Sequence, residues 1–427
     1  MPRRFLILLV IVLLVLVALV FGLGLFLGVR DRTGFVERFE IFPSEEKLAL
    51  EPASFDRLPG WREDAVEAAL PALLRSCAKL AAPPDGAPAG GAGAAAGIAG
   101  KAADWRAACA EGAKVPPGDR AAARRFFESR FRPWSVRDHR NPIGLFTGYY
   151  EPLLHGSRRR HGRFTVPLYG RPPELVTVDL GRFRDDLKGK KIAGRVEKGE
   201  LAPFPDRREI DAGALAGRKL ELVWVDDPVE AFFLQVQGSG RVRLAEGGEM
   251  RVGYAAQNGY PYASVGKALI AAGALEPAEV SLQTIRAWLT AHPAQAQEVL
   301  EKNPSYVFFQ ETHPPAGAAA EGDGPLGAAG VPLTPGRSLA VDLKYLPLGV
   351  PVWLAGGMPS PRAGEGDRKL RRLLIAQDTG GAIRGPVRGD VFFGFGPEAE
   401  EVAGRMKHRG KLWLLLPVGV GEEQRRK

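Results

Sequence analysis

Two cysteines, Cys77 and Cys109, and six dispersed histidines, at positions 139, 155, 161, 292, 313 and 408, are all that the 427 residues supply of either type. They form no H-E-x-x-H helix and no C-x-x-C pair, so a metal site is not expected. Beyond a membrane the two cysteines could form one disulfide; the other outcome is two buried thiols, and the sequence leaves both open. No Cys falls near residues 20–30, which argues against lipoprotein processing. RNP, helix-turn-helix and zinc-finger patterns are also missing, which weakens a nucleic-acid reading of the +9 formal charge. Lipid headgroups or an acidic polymer remain as anionic partners. There is one Asp-Thr-Gly triplet, at 378–380. An aspartic protease needs two such turns, in one chain or across a dimer of small chains, so that class is set aside.

What is present begins with "RRFLILLVIVLLVLVALVFGLGLFLG", where Arg3 and Arg4 precede an unbroken apolar run from Phe5 to Gly28. As a helix the run is about 36 Å long, against a hydrocarbon core of about 30 Å. A secretory h-region is shorter and ends in a small-residue cleavage site, so residues 1–30 read as an uncleaved anchor with its basic end in the cytoplasm; a cleaved signal is the alternative. With 45% apolar and 25% charged residues, the remainder is globular and long enough for one large or two ordinary domains.

Helical spacing marks residues 62–80, 104–112 and 119–131. Between the first two, residues 81–104 are rich in Ala, Gly and Pro and read as a disordered surface insertion; a second such loop runs from 314 to 332. From 140 to 260, short segments split by Gly and Pro read as strands, including "VEAFFLQVQGSGRVRL". Two helices follow, at 264–275 and 281–303. The last hundred residues return to strands, interrupted by a helix over 397–410 with Pro397 in its first turn. Two β-rich blocks with Gly-rich corners favour closed barrels over an open sheet.

The candidate chemistry lies in "LLIAQDTGGAIRGPVRGDVFFGFG", residues 373–396, although Asp378 at a Gly-Gly corner and Asp390 at a strand entrance could both be turn residues with no chemistry. Asp390 opens an apolar strand whose alternation puts Phe392 on its own face, and Val391, Phe393 and Phe395 on the other. Desolvation there would raise the carboxyl toward the range of a general acid. Asp378 precedes Thr379-Gly380-Gly381, where backbone N–H groups can bond it and keep it ionised. A third acid, Asp342, closes "SLAVD", with Lys344 two residues on. In "FLQVQGSGRV" the alternation sets Gln235 and Gln237 on one side, with Ser239 between glycines. Tyr254 and Asn258 in "GYAAQNGYPY", and Tyr149, Tyr150 and Glu151 in "TGYYEP", complete a set suited to carbohydrate, which offers apolar faces and hydroxyls. A tyrosine-lined core with a polar outer face would carry the same pattern.

At these residues the chain resembles the MltA family of membrane-bound lytic murein transglycosylases. The matching blocks are "FTGYYEP", "VDDPVEAFFLQVQGSGRV", "GYAAQNGYPYASVGKAL", "NPSYVFF" and "PLTPGRSLAVDLKYLPLGVPVWL", together with residues 373–396. The resemblance implies a mainly β molecule with peripheral helices. A double-psi β-barrel domain would be assembled from 45–155 and 306–418, a smaller β-barrel inserted at 156–305, and a charged tail would follow at 419–427. It also implies cleavage of the MurNAc-β-1,4-GlcNAc bond of peptidoglycan without water and without a cofactor, giving 1,6-anhydro-MurNAc ends. Asp390 would be general acid and then base. Asp378 would orient the network or balance the positive charge developing at C1, and Asp342, Lys344, Thr379, Gly380, Gly381, Tyr150, Gln235, Gln237, Ser239, Tyr254 and Asn258 would line the groove. The alternative is a non-catalytic murein-binding scaffold. The missing lipobox cysteine points to the periplasmic face of the inner membrane, or to the periplasm if the segment is cleaved.

Overall fold

The computed structural model describes residues 46–90, 95, 97–187, 190–313, 323–362 and 365–420. The apolar run expected to anchor the chain, residues 314–322 of the second Ala/Gly/Pro-rich loop, and 421–427 lie outside them. Among the described residues no helix is long and apolar enough to cross a membrane.

The strands in chain order are β1 (Leu48–Pro52), β2 (Phe131–Asp138) and β3 (Gly144–Glu151). Then come β4 (Leu153–Ser157), β5 (Val166–Tyr169), β6 (Val176–Asp179), β7 (Lys191–Glu197), β8 (Glu200–Pro203), β9 (Glu221–Val225), β10 (Ser239–Leu244), β11 (Glu249–Gln257) and β12 (Val307–Thr312). The last are β13 (Ser338–Val341), β14 (Pro351–Met358), β15 (Arg368–Asp378), β16 (Arg388–Phe395) and β17 (Lys407–Pro417). Six of them close on themselves in the order β17-β14-β15-β13-β16-β3, because β3 pairs with both β16 and β17; β2 and β1 extend the sheet from β17. The pairs β13–β15 and β16–β3 are parallel. Every residue of β13 is buried, as a strand covered on both faces requires.

Three helices, Leu70–Leu80, Ala102–Gly112 and Arg120–Arg130, pack on this barrel. The largest apolar cluster joins Trp105, Phe127 and Phe131 to barrel residues Trp353, Leu374 and Leu414. Cys77 and Cys109, 32 positions apart, are disulfide-bonded and tie the first two helices together; a loop of that size contributes about 3–4 kcal/mol by limiting the unfolded chain. Between these helices, composition suggested a stretch able to bury little. Yet Ala89, Ala95 and Ala99 are buried, and Ala89 N–H donates to Gly100 O at 2.9 Å. Methyl groups that carry no periodic signal still fill gaps in a core.

The segment from β4 to β12 builds a second body. One sheet runs β12-β11-β10-β4-β9-β5, and a bridge between Gly170 and Phe309 brings its two edges together. The strands β6-β7-β8 form a separate meander. Residues 228–237 are a helix, Pro228–Gln237, and not the expected strand. Asp227 caps it by accepting from Val229 and Glu230 N–H, Pro228 occupies the first turn, and Gly238 ends it at φ 82°. These local signals outweigh a two-residue alternation. The expected helix over 281–303 is two, Leu282–Ala291 and Pro293–Glu301, divided at Pro293. The helix at 397 stops at Arg405, because Lys407–Gly410 pair with β3 instead.

Candidate active site

The site is set by strand register. β13 lies between β15 and β16, and Ala340 is opposite Asp390 on one side and Asp378 on the other. Side chains at paired positions point to the same face, so both carboxylates leave the same side of the sheet, on strands about 10 Å apart. A bulge makes this so. Leu339 pairs with Ala376, but Ala340 pairs with Asp378, which skips Gln377. The skipped Gln377 is fully buried, accepts from Ser338 Oγ at 2.6 Å and donates to Ala72 O and Ser76 Oγ, both at 2.9 Å. Without the bulge it would stand where Asp378 does.

Asp390 is opposite Thr147 in the parallel pairing with β3, and Phe392 is opposite Tyr149. Thr147 Oγ1 lies 2.6 Å from Asp390 Oδ1, and Arg388 Nη2 donates to Thr147 Oγ1 at 2.8 Å. Burial pushes the Asp390 carboxyl up to about 6. The Arg388 charge and the Thr147 hydrogen bond pull against this, and the Asp378 charge adds to it. Phe392 and Tyr149 form the apolar floor, ring centroids 5.2 Å apart. The alternation predicted for β16 holds at Val391, which joins the large core, and at Phe392, which joins Tyr149, Leu333, Ala340 and Ile383; it fails at Phe395, which a register shift after Phe392 sets opposite Glu151, on the side of Asp390.

Asp378 accepts from Tyr149 Oη at 2.8 Å and from Ala328 N–H at 2.9 Å. Of the turn expected to bond it, Thr379 alone contributes a backbone donor; the other, Ala328, comes from a separate loop, and the expected ionised state is not the one that burial favours. Burial raises this carboxyl too, with the Ala328, Tyr149 and Thr379 bonds offsetting part of the rise. Burial first, and then Asp378, hold the Tyr149 hydroxyl well above its usual range, so it remains a donor.

The other sequence-derived residues divide. Asp342 is buried and spends both carboxylate oxygens on backbone, accepting from Lys344 N–H at 3.0 Å and Gly385 N–H at 2.9 Å; it pins the loop joining Asp378 to Asp390. Thr379 Oγ1 donates to Val341 O at 2.8 Å and fixes the same turn. Gly381 and Lys344 are exposed beside it, and Gly380 is half-buried. Tyr254 is 51% exposed. By contrast, Asn258 is fully buried. It donates to Pro205 O and Pro304 O and accepts from Tyr306 N–H. Gln235 is buried and accepts from Arg207 Nη2 at 2.7 Å. Ser239 is buried at the start of β10. Tyr150 is buried on the face of β3 opposite Tyr149, against Ala399 and Ala403, and its hydroxyl accepts from Arg286. Being on a helix, Gln235 and Gln237 point apart; Gln237 alone reaches β3, accepting from Tyr150 N–H at 3.1 Å.

Sequence reasoning missed Thr147, Arg388 and Ala328. The first was legible, because period two along "FTGYYE" separates Thr147 and Tyr149 from Gly148 and Tyr150. Ala328 was not, since it sits in the loop that looked featureless. There Gly324 lies so close to Phe392 that a Cβ would approach the ring within 2.4 Å. Beside the site, a cleft of about 310 Å³ is lined by Leu145, Thr147, Gln237, Leu282, Arg405 and Lys407 among others. It shares Thr147 with Asp390 and runs along the seam between the two bodies. Arg286 spans that seam, ion-paired with Glu230 at 2.6 Å and with Glu400.

A closed six-stranded barrel interrupted by an inserted body, with a paired-carboxylate face on its rim, defines the class. Two family descriptions match, "MltA specific insert domain" over residues 145–310 and "3D domain" over 337–416, the latter spanning Asp342, Asp378 and Asp390. A crystal structure of a membrane-bound lytic murein transglycosylase from Agrobacterium tumefaciens is 34% identical, with TM-score 0.74 over 88% of this chain and 99% of that one. Membrane-bound lytic murein transglycosylase A of Vibrio cholerae is 34% identical over 64% of this chain; the match spans 65% of that relative's length. Escherichia coli MltA crystallised with bound chitohexaose is 26% identical, TM-score 0.60, over 88% of this chain and 95% of that one. The chain belongs to the MltA family of membrane-bound lytic murein transglycosylases.

Proposed function

We propose that the chain is a lytic transglycosylase that cleaves the MurNAc-β-1,4-GlcNAc bond of peptidoglycan without water. The observation that carries the reading is the register at Ala340, which sets Asp390 and Asp378 side by side with Asp390 raised to about 6. The name of the Vibrio cholerae relative and the chitohexaose bound by the Escherichia coli one support the substrate class.

Protonated Asp390 gives its proton to the glycosidic oxygen, and the C1–O bond breaks toward an oxocarbenium ion. The resulting carboxylate then takes the proton of the sugar's own C6 hydroxyl, whose oxygen closes on C1. The product is a 1,6-anhydro end, and Asp390 returns to its starting state. Asp378, held by Tyr149 and Ala328, balances the positive charge that develops at C1. Thr147 holds the reacting carboxyl in place. Gly380, Gly381, Lys344, Tyr254 and Gln237 are the groove contacts; Asp342, Thr379, Tyr150, Gln235, Ser239 and Asn258 act by supporting the walls. We read the barrel, with its two parallel pairs, as double-psi, and the inserted body as a smaller barrel. The apolar run at 5–28 holds the body at the periplasmic face of the inner membrane.

Mass spectrometry of fragments released from purified sacculi tests this. Anhydro ends, lighter than hydrolysed ends by one water, are expected. Hydrolysed ends would make the protein a conventional hydrolase, and binding with no new ends would make it a scaffold.

A further inference from the structure

The bulge at the end of β16 brings a third aromatic side chain onto the face of the acid. Asp390 is opposite Thr147, Phe392 is opposite Tyr149, and after the register shift Phe395 is opposite Glu151. Thr147, Tyr149 and Glu151 fall on one side of β3, so Asp390, Phe392 and Phe395 share that side. Gly394 supplies the kink, at φ 102°. Phe392 is buried, whereas Phe395 is 47% exposed. A single exposed apolar residue is ordinary, but the support behind this one is not. The Arg241 guanidinium, from β10, lies on the Phe395 ring with its Cζ 3.8 Å from the centroid. Arg241 Nε donates to Glu151 Oε2 at 2.9 Å, and Nη1 reaches Glu249 Oε1 at 3.4 Å. Arg241 and Glu151 are both buried, and among the described residues nothing accepts from Arg241 Nη2. Burying an ion pair with an N–H group left over costs stability. Here that arrangement grips the ring from one side and leaves the other to solvent.

We propose that Phe395 is a stacking platform for a pyranose ring of the glycan, at a subsite remote from the cleaved bond. The identity of the ligand rests on the transglycosylase reading. The C–H groups on one face of a pyranose form an apolar patch that suits a phenyl ring. From Thr147 to Glu151 the strand advances about 13 Å, which is how far the ring stands from Asp390 along it. One sugar does not extend that far from the bond it shares, so the ring meets a strand that continues beyond the two sugars being separated. The platform also joins the two bodies. Its ring comes from β16 of the barrel and its backing from β10 of the inserted body, so the ring is held only when the two are seated together.

Calorimetric titration of the full chain carrying Asp390→Asn with chitohexaose reads this subsite without turnover. Adding Phe395→Ala should weaken chitohexaose binding about five- to tenfold, whereas Phe395→Tyr, which keeps the ring, should stay within about twofold. Phe395→Leu, apolar but without a ring, should lose as much as Phe395→Ala. Unchanged binding by the alanine variant would overturn the proposal. So would full binding by the leucine variant, because any apolar side chain would then serve. With Asp390 restored, Phe395→Ala should raise KM on isolated glycan strands by a similar factor and lower kcat less; a loss confined to kcat would also overturn the proposal, since it would place the ring in the chemistry. Chitohexaose binding that depends on the ring, in a protein that makes no anhydro ends, would end the transglycosylase reading and leave the platform standing.

Discussion

The molecule holds two buried polar clusters, and they differ in how completely they are satisfied. In the inserted body, Arg207 donates to Asn303 O, Ser305 O and Gln235 Oε1 and lies over the rings of Phe232 and Tyr306, while Asn258 ties three backbone groups together. Its donors and acceptors answer one another, and such a network specifies a unique packing. On the barrel rim, Asp390 has one close partner, Thr147, and a neighbouring carboxyl that repels its charge. Burial without full compensation costs stability and leaves a proton to give. Completeness of hydrogen bonding, more than burial or polarity, separates the two clusters, and the incomplete one is the one that the proposed reaction uses.

Asp390→Asn should give the largest effect. Turnover on sacculi should fall by at least 10²–10⁴-fold, the usual scale of general acid–base help, because one group serves both steps. The circular dichroism spectrum should not change. Wild-type turnover would remove Asp390 from the mechanism and erase the contrast. Asn258→Ala strikes the other cluster. It orphans the Pro205 carbonyl and the Tyr306 N–H, leaves Pro304 O with the Arg207 N–H alone, and should lower stability by about 2–4 kcal/mol in denaturant titrations. Activity per folded molecule should hold, and a selective loss of kcat would place Asn258 in the chemistry instead.

The pH dependence of stability comes next. The Asp390 carboxyl is raised in the folded state from an ordinary 3.8 to about 6. Its stabilising contribution is full below about 3.8 and is lost as pH rises through about 6, a change of the order of 2–3 kcal/mol. Asp390→Asn should flatten that part of the stability–pH curve, so that the variant is the more stable protein at pH 7. A parallel curve would mean that the carboxyl is not strained. Smallest is Thr147→Val. The Thr147 hydrogen bond lowers the Asp390 carboxyl, so losing it should move the alkaline limb of kcat/KM upward, by less than about one pH unit. A downward shift would reverse the assigned role of Thr147.

Legibility followed the same division. The face of β16 could be read because Asp390 interrupts an apolar alternation, and the "3D" stretch carries its acids at strand ends. The inserted body misled where alternation and helix signals overlapped. "FLQVQ" alternates, yet Asp227, Pro228 and Gly238 enclose a helix, and this turned Gln235 into the core. Asn258 looks like a sugar contact in sequence because an amide suits a hydroxyl and a proline carbonyl equally well. The bulge that brings Asp378 level with Ala340 has no sequence mark. It results from β13 lying between two strands that appear later in the chain, and no local pattern encodes such a neighbour.

Thr147 and Asp390 stand 243 positions apart and meet only when β3 and β16 lie side by side in a closed barrel that β17 completes. An unfinished polypeptide therefore lacks the Thr147–Asp390 contact on which the proposed reaction depends. For a protein whose target would be the cell's own wall, the wiring of the chain is a safety catch released only by finished folding.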